Sequence, residues 1–212
     1  MRTIGIATAC FALWACTPNE SGNDASGASS DDTAAGSDSS GMPACTDPDS
    51  QVLWANEGML MPPMELGFAD SLGFDVARSL SPEAGTLTLS FTTNCGGPLY
   101  VFGLLWDATG GSDTENADSL YLSIDGGEEL TWLYGCSTVT GVDDQWYWLP
   151  LEQWTMANCE HLPPELDLPA GDHTIVVRNR EQGAGVDVAA IGALVVSHDP
   201  GVDLNQYHDL TE

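Results

Sequence analysis

The chain contains no lysine. Its 212 residues carry four basic side chains, all arginine, against 32 aspartates and glutamates, for a formal net charge of −28. A surface this acidic repels phosphate backbones and anionic head groups, which excludes a nucleic-acid or lipid-surface binder. No CxxC pair occurs, so a zinc knuckle or a thioredoxin-type site has no support. GxSxG, HExxH, P-loop and dinucleotide fingerprints are all absent, and no enzyme is expected. The acids are too numerous for any pair of them to signal glycosidase chemistry. His161, His173, His198 and His208 are scattered, and His173 is read as structural. No apolar run reaches the ~20 residues needed to span a bilayer. No stretch has the length and 3.6-residue period of a substantial helix.

What is present begins with a leader. Met1 to Ala15 holds one arginine, no acid and an apolar run ending "LWAC", the form of a signal peptide (1–15). Leu13 and Ala15 before Cys16 resemble the lipobox of bacterial lipoproteins, although Trp14 departs from its usual pattern. That resemblance implies lipidation of Cys16, with Thr17 after it implying sorting to the outer membrane. The alternative is cleavage near Ala15 and a free secreted protein. Residues 16–44 are dominated by Ser, Gly, Asp and Ala. Such a stretch buries too little apolar surface to order itself and is expected to be a tether with a mean reach of about 25 to 30 Å. The membrane is then met only through the lipid anchor. Residues 45–199 are of ordinary size for one domain, and 200–212 form a polar tail.

With Cys10 in the leader and Cys16 as anchor, Cys45, Cys95, Cys136 and Cys159 remain. In an exported domain four cysteines read as two disulfides, with three possible pairings. The expected pairs are Cys136–Cys159, closing the segment around Trp146 and Trp148, and Cys45–Cys95, fastening the domain's start.

Short apolar or alternating runs recur at 51–55, 73–77, 86–92, 99–106, 119–125, 129–134, 145–151, 173–179 and 188–197, punctuated by "SPEAG", "DATGGSD", "DGG" and "LPAGD". The pattern predicts an all-β fold, an antiparallel β-sandwich. Leu87, Leu89 and Phe91 should face its core, as should Leu120, Leu122 and Ile124. In "SLYLSIDGGEELTW" two strands flank a glycine turn.

The order "WANEGMLMPPMELGFADSLGFDV", "ADSLYLSIDGGEELTW", "WYW" and "LPAGDHTIVVRNREQGAGVDVAAIGALVVSHD" resembles the galactose-binding-like, jelly-roll carbohydrate-binding modules, families 6 and 35 in particular. The resemblance covers nearly all of residues 50 to 199. It implies a jelly roll, a non-catalytic role in binding extracellular glycan, and a structural calcium near the first and last strands. Glu57 and Asp187 are the positions carried over as its ligands, the first in a motif that lacks one of the family's usual acids. The alternative is that Glu57 is solvated and Asp187 pairs with Arg180.

Sugars offer CH-rich faces to aromatic rings and hydroxyls to carboxylates. Seven tryptophans are a generous supply, although most such rings are core packing. Trp146 and Trp148, two apart, share one strand face, with Tyr147 opposite. Trp106 and Tyr134, at strand ends beside acidic or glycine loops, are the rings expected to be exposed. The expected ligand-binding set is Trp106, Asp118, Trp132 and Tyr134. The alternative is a surface lipoprotein that uses the sandwich for protein contact. An exposed aromatic beside acids in a groove favours sugar; a flat apolar patch with every tryptophan buried favours a protein partner.

Overall fold

Alternation of apolar and polar side chains along short segments, not helical periodicity, organises this chain. The computed structural model describes residues 50–107, 119–134, 145–155, 160–180 and 189–207. Within them lie β1 (Gln51–Trp54), β2 (Met59–Met61), β3 (Glu65–Ala69), β4 (Phe74–Arg78) and β5 (Thr86–Thr93). Then come β6 (Gly97–Pro98), β7 (Tyr100–Asp107), β8 (Ser119–Ile124), β9 (Leu130–Leu133) and β10 (Gln145–Pro150). The series ends with β11 (Gln153–Thr155), β12 (Glu160–Leu162), β13 (Asp167–Leu168), β14 (Gly171–Asn179) and β15 (Ala190–Ser197). Short 3₁₀ turns occupy Ala55–Glu57 and Leu204–Tyr207. Among the described residues no helix is long and apolar enough to cross a membrane.

Two antiparallel sheets enclose the core in a jelly-roll sandwich. One runs β10-β7-β15-β4-β3, with β1 also paired to β15. The other runs β12-β11-β9-β8-β14-β5-β2. A small ladder of β13 and β6 stands apart. The inner face of the second sheet is the predicted one: Leu87, Leu89 and Phe91 of β5 and Leu120 and Leu122 of β8 are buried, with Ile175 and Val177 of β14 between them. Ile124, at the strand's end, is partly buried against the same core. Leu105, Ile191, Leu194 and Val196 meet them from the first sheet.

Trp132 spans the two layers. It is fully buried, and its indole N–H donates to the Pro150 carbonyl at 3.0 Å, so its one polar group is paired. Gly103, in a core-facing row between Leu149 and Leu194, makes room for it: a Cβ there would collide with the far edge of the indole.

β15 is buried at all eight positions, so both its faces are covered. Ile191, Leu194 and Val196 belong to the inter-sheet core, and Ala190, Ala193 and Val195 to the opposite face. An irregularity between Ile191 and Ala193 shifts the register, and on that strand's other edge β4 pairs before it and β1 after it. The first sheet therefore has an apolar outer face as well as an apolar inner one.

The β8–β9 hairpin turns at Ile124–Gly127, closed by a bond from Gly127 N to Ile124 O at 2.8 Å. Its central residues are Asp125 and Gly126, both left-handed (φ 52° and 68°), so the turn sits one residue earlier than the glycine pair suggested. Aspartate is among the few non-glycine residues that tolerate this conformation. Cys95 is disulfide-bonded; Cys45, Cys136 and Cys159 lie outside the described residues, as do Cys16 and the leader.

Candidate functional site

The outer face of the first sheet is organised in cross-strand rows, because paired residues of antiparallel strands project to the same side. One row reads Trp146 (β10), Trp106 (β7), Ala190 (β15), Arg78 (β4) and Glu65 (β3). The next reads Trp148, Leu104, Ala193 and Trp54. A third reads Pro150, Phe102, Val195 and Val52. Tyr147, between the two tryptophans of β10, packs against the core, as the spacing required.

The first row is open. Trp106 and Trp146 are half-buried with ring centroids 5.5 Å apart, tilted by 54°. They form one wall of a cleft of about 360 Å³ whose other lining includes Phe68, Asp70, Ser71 and Arg78. Ala190 supplies a low floor between the tryptophans and the arginine. Asp70 and Ser71 are placed by the β3–β4 turn, where Leu72 N and Gly73 N both donate to Ala69 O, at 3.0 and 2.9 Å, and Gly73 takes a φ of 77°. Phe68 is 62% exposed, an unusual state for a large apolar ring.

Arg78 is seated by Gly67. A Cβ on that glycine would come within 2.7 Å of the guanidinium carbon, so its absence lets the charged group lie over β3. The Glu65 carboxylate stands 3.7 Å from Arg78 Nε, close enough for charge attraction but not a hydrogen bond. That Nε is buried and lacks a hydrogen-bond partner among the described residues. Chemically the cleft offers two adjacent, tilted rings, a carboxylate, a hydroxyl and a guanidinium. Such a set can hold a polyhydroxylated ring by its CH face and its hydroxyls.

Of the expected ligand residues, Trp106 lies in this cleft. Trp132 and Tyr134 do not: they are 0% and 2% exposed, and both belong to the core. This corrects the expectation of an exposed Tyr134. Trp132 pairs with Leu120 across the hairpin, so it shares that leucine's inward side, and Tyr134 follows two residues later. Asp118 lies outside the described residues. Trp146, Asp70 and Arg78 were not among the expected ligand residues. The two-residue spacing puts Trp146 on one face with Trp148, and the core packing of Tyr147 makes that face the outer one. Arg78, two residues after buried Val76 in a chain almost devoid of cations, was the other readable signal.

Glu57 is exposed and shares a shallow cavity of about 460 Å³ with Thr88 and Ser90. One carboxylate and two hydroxyls fall short of the six to eight oxygens calcium takes. Among the described residues no group of three His, Cys, Asp or Glu stands together as a metal shell. Asp187 lies outside them.

A second cluster imitates a catalytic triad. His173 Nδ1 is 2.7 Å from Asp125 Oδ2, and Nε2 is 3.2 Å from Thr93 Oγ1. Nε2 also lies 3.0 Å from the Pro169 carbonyl, which can only accept. With Nδ1 facing a carboxylate and Nε2 a carbonyl, the geometry favours the imidazolium, a form that cannot take a proton from a nucleophile. Thr93 and His173 are each 4% exposed. Burial opposes the charge on His173, but hydrogen bonds to Asp125 and Pro169 and the nearby carboxylates outweigh it and raise its pKa. The same His173 bond, with the Thr174 amide, lowers that of Asp125. The cluster ties the hairpin turn to β14.

No family model and no curated protein matches the chain. Its fold is similar to that of several solved structures. A family 35 carbohydrate-binding module from Clostridium thermocellum aligns over 69% of this chain and 98% of its own, at 14% identity and a TM-score of 0.48. A Podospora anserina GH26-CBM35 β-(1,4)-mannanase aligns over 73% of this chain at 12% identity and a TM-score of 0.48. An exo-β-1,3-galactanase from Phanerochaete chrysosporium, in a complex with β-1,3-galactotriose, aligns over 70% at 15% identity and a TM-score of 0.48. The chain spans only 28% and 29% of these two enzymes.

Proposed function

We propose that this protein is a non-catalytic module that binds extracellular carbohydrate in the cleft between Trp106, Trp146 and Arg78. The observation that carries this reading is the half-buried tryptophan pair in a groove that also holds Asp70 and Ser71. It is the arrangement that favours a sugar over a protein partner, because the rings are neither wholly buried nor part of a flat apolar patch. In the same reading the chain is exported and held by lipid on Cys16, with residues 17–44 as tether, at the outer membrane of the cell envelope. The calcium expected at Glu57 and Asp187 has its own test: a melting curve of the purified protein with calcium and with chelator.

The experiment for the main claim is a glycan-array screen of the mature protein beside its Trp106→Ala and Trp146→Ala variants. Binding to a defined sugar family, lost in both variants while their melting temperatures hold, supports the cleft. A blank array from folded protein would sink the glycan reading and move the assignment to protein contact. Incorporation of labelled palmitate by the full chain, but not by Cys16→Ala, tests the anchor.

A further inference from the structure

The segment after β15 crosses the same sheet face that carries the cleft. His198 Nδ1 donates to the Pro98 carbonyl at 2.6 Å. Asp199 Oδ1 accepts from Gly201 N at 2.8 Å, and Asp203 Oδ1 accepts from Asn205 N at 3.0 Å and from its side-chain amide at 2.9 Å. These side-chain turns stiffen residues 198–205 without any strand pairing. Val202, Leu204 and Tyr207 are half-buried, while Gly201, Asp203, Asn205 and Gln206 are exposed. Pro200 lines a groove of about 270 Å³ with Phe102 and Pro150, residues of the third row. The Tyr207 ring then reaches the second row, 6.1 Å from that of Trp148 and tilted by 54°.

Trp148 is the neighbour of the cleft tryptophan Trp146. Two residues along one strand face are about 7 Å apart, so the aromatic surface would continue from the first row to the second if nothing covered it. Tyr207 covers it. The contact is imperfect, because Trp148 Nε1 is buried with no hydrogen-bond partner among the described residues. The indole N–H there is out of solvent and lacks the acceptor it needs. A sugar ring, with hydroxyls at its rim, would supply one.

We propose that Tyr207 sets the length of glycan that the cleft accepts, standing on Trp148 where a further sugar unit would otherwise stack. This rests on the glycan reading above. The ligand is then confined to the Trp106–Trp146 row, and the segment 198–207 acts as a stop at its end.

The test compares the mature parent with Tyr207→Ala and Tyr207→Phe. Calorimetric titration uses ladders of neutral manno-, xylo- and galacto-oligosaccharides from one to six units. Acrylamide quenching, with and without an added Trp148→Phe change, isolates the exposure of Trp148. In the parent, affinity should stop rising once the first row is filled. Trp148 is half-buried in the parent; in Tyr207→Ala it should become more quenchable, and affinity should rise about 3- to 10-fold further with the longer members, the gain of one more stacked ring. Tyr207→Phe, which keeps the ring, should keep the parent profile. A parent that binds with a length profile unchanged in Tyr207→Ala overturns the proposal alone. So does a Trp148 that is quenched no more in that variant than in the parent. Failure of every ladder with parent and variants alike overturns the glycan reading together with this one.

Discussion

Replacing Asp125 by asparagine should destabilise the protein at mildly acid pH and much less at alkaline pH. Asparagine tolerates the left-handed backbone that position 125 requires, so the turn itself is preserved. Its carbonyl can accept from the Thr174 amide in place of the carboxylate oxygen that now does so at 2.8 Å. Its amide can donate to Nδ1 of a neutral His173 whose Nε2–H keeps the Pro169 carbonyl. What the substitution removes is the charge. A charge-assisted hydrogen bond contributes about 1.5–3 kcal/mol, but the Asp125 side chain is 45% exposed. Solvent screening discounts the figure to about 1–2 kcal/mol, or about 2–8 °C in melting temperature for a domain of this size.

The pH dependence separates this from a merely local disturbance. His173 has its pKa raised in the fold. Its contribution is complete below the unfolded value of about 6.5 and is lost as pH rises through the folded one. Asp125 has its pKa lowered, so its contribution is present above about 3.9 and is lost as pH falls through the folded value. The pair is strongest from about pH 4 to about pH 6.5. In Asp125→Asn the ring must shed its proton to fold, a penalty at about pH 5.5 that vanishes at about pH 9. Urea denaturation of parent and variant at the two pH values measures it. An equal loss at both, or none at about pH 5.5, would refute the assignment of a charged His173.

Two further predictions concern the scaffold. Gly103→Ala drives a methyl group into the buried Trp132 ring, and overpacking there should cost about 1–3 kcal/mol, seen as an earlier urea midpoint with the Trp132 emission shifted. Arg178→Lys replaces a fork held by Glu129 at 2.8 and 2.6 Å and stacked 4.1 Å above the Tyr121 ring. It should cost about 0.5–1.5 kcal/mol in thermal unfolding, because an ammonium cannot make both contacts at once.

The nine segments with clear apolar alternation or long apolar runs were legible as strands, and each corresponds to one. The six others, β2, β3, β6, β11, β12 and β13, were not. They are two to five residues long, and β6 and β13 have only two, too few for a period to show. β2 and β3 flank "PP" in a methionine-rich stretch, where prolines interrupt any pattern. The site was harder still. Trp106 could be read from its strand-end position, but Trp132 and Tyr134 needed the hairpin register to be followed to its end. Leu120 faces Trp132 across the β8–β9 ladder, so the predicted inward Leu120 already implied an inward Trp132. The outer face of the first sheet was missed because β15 reads as a continuous apolar run. Such a run says that both faces are covered without saying by what.

The cleft's charge bears on which sugars it accepts. Arg78 is its only described cation, and Glu65 stands 3.7 Å from it while Asp70 lines the same space. Locally the three groups leave no net positive charge, and around them the chain carries −28. At ionic strength near 0.15 M the Debye length is about 8 Å, so an anionic polysaccharide approaching the cleft meets mostly repulsion until it touches Arg78. A neutral glycan meets none, and its binding by stacking and hydrogen bonds involves no net charge interaction to screen. Affinity for a neutral ligand should therefore stay within about twofold when salt rises from about 0.05 to about 0.5 M, whereas any uronate-bearing ligand should bind weakly at low salt and more tightly as salt is added. Titrations at three salt concentrations measure both. A uronate that binds best at low salt and weakens as salt rises would mean that Arg78 outweighs the acids around it, and the neutral preference argued from their arrangement would be wrong.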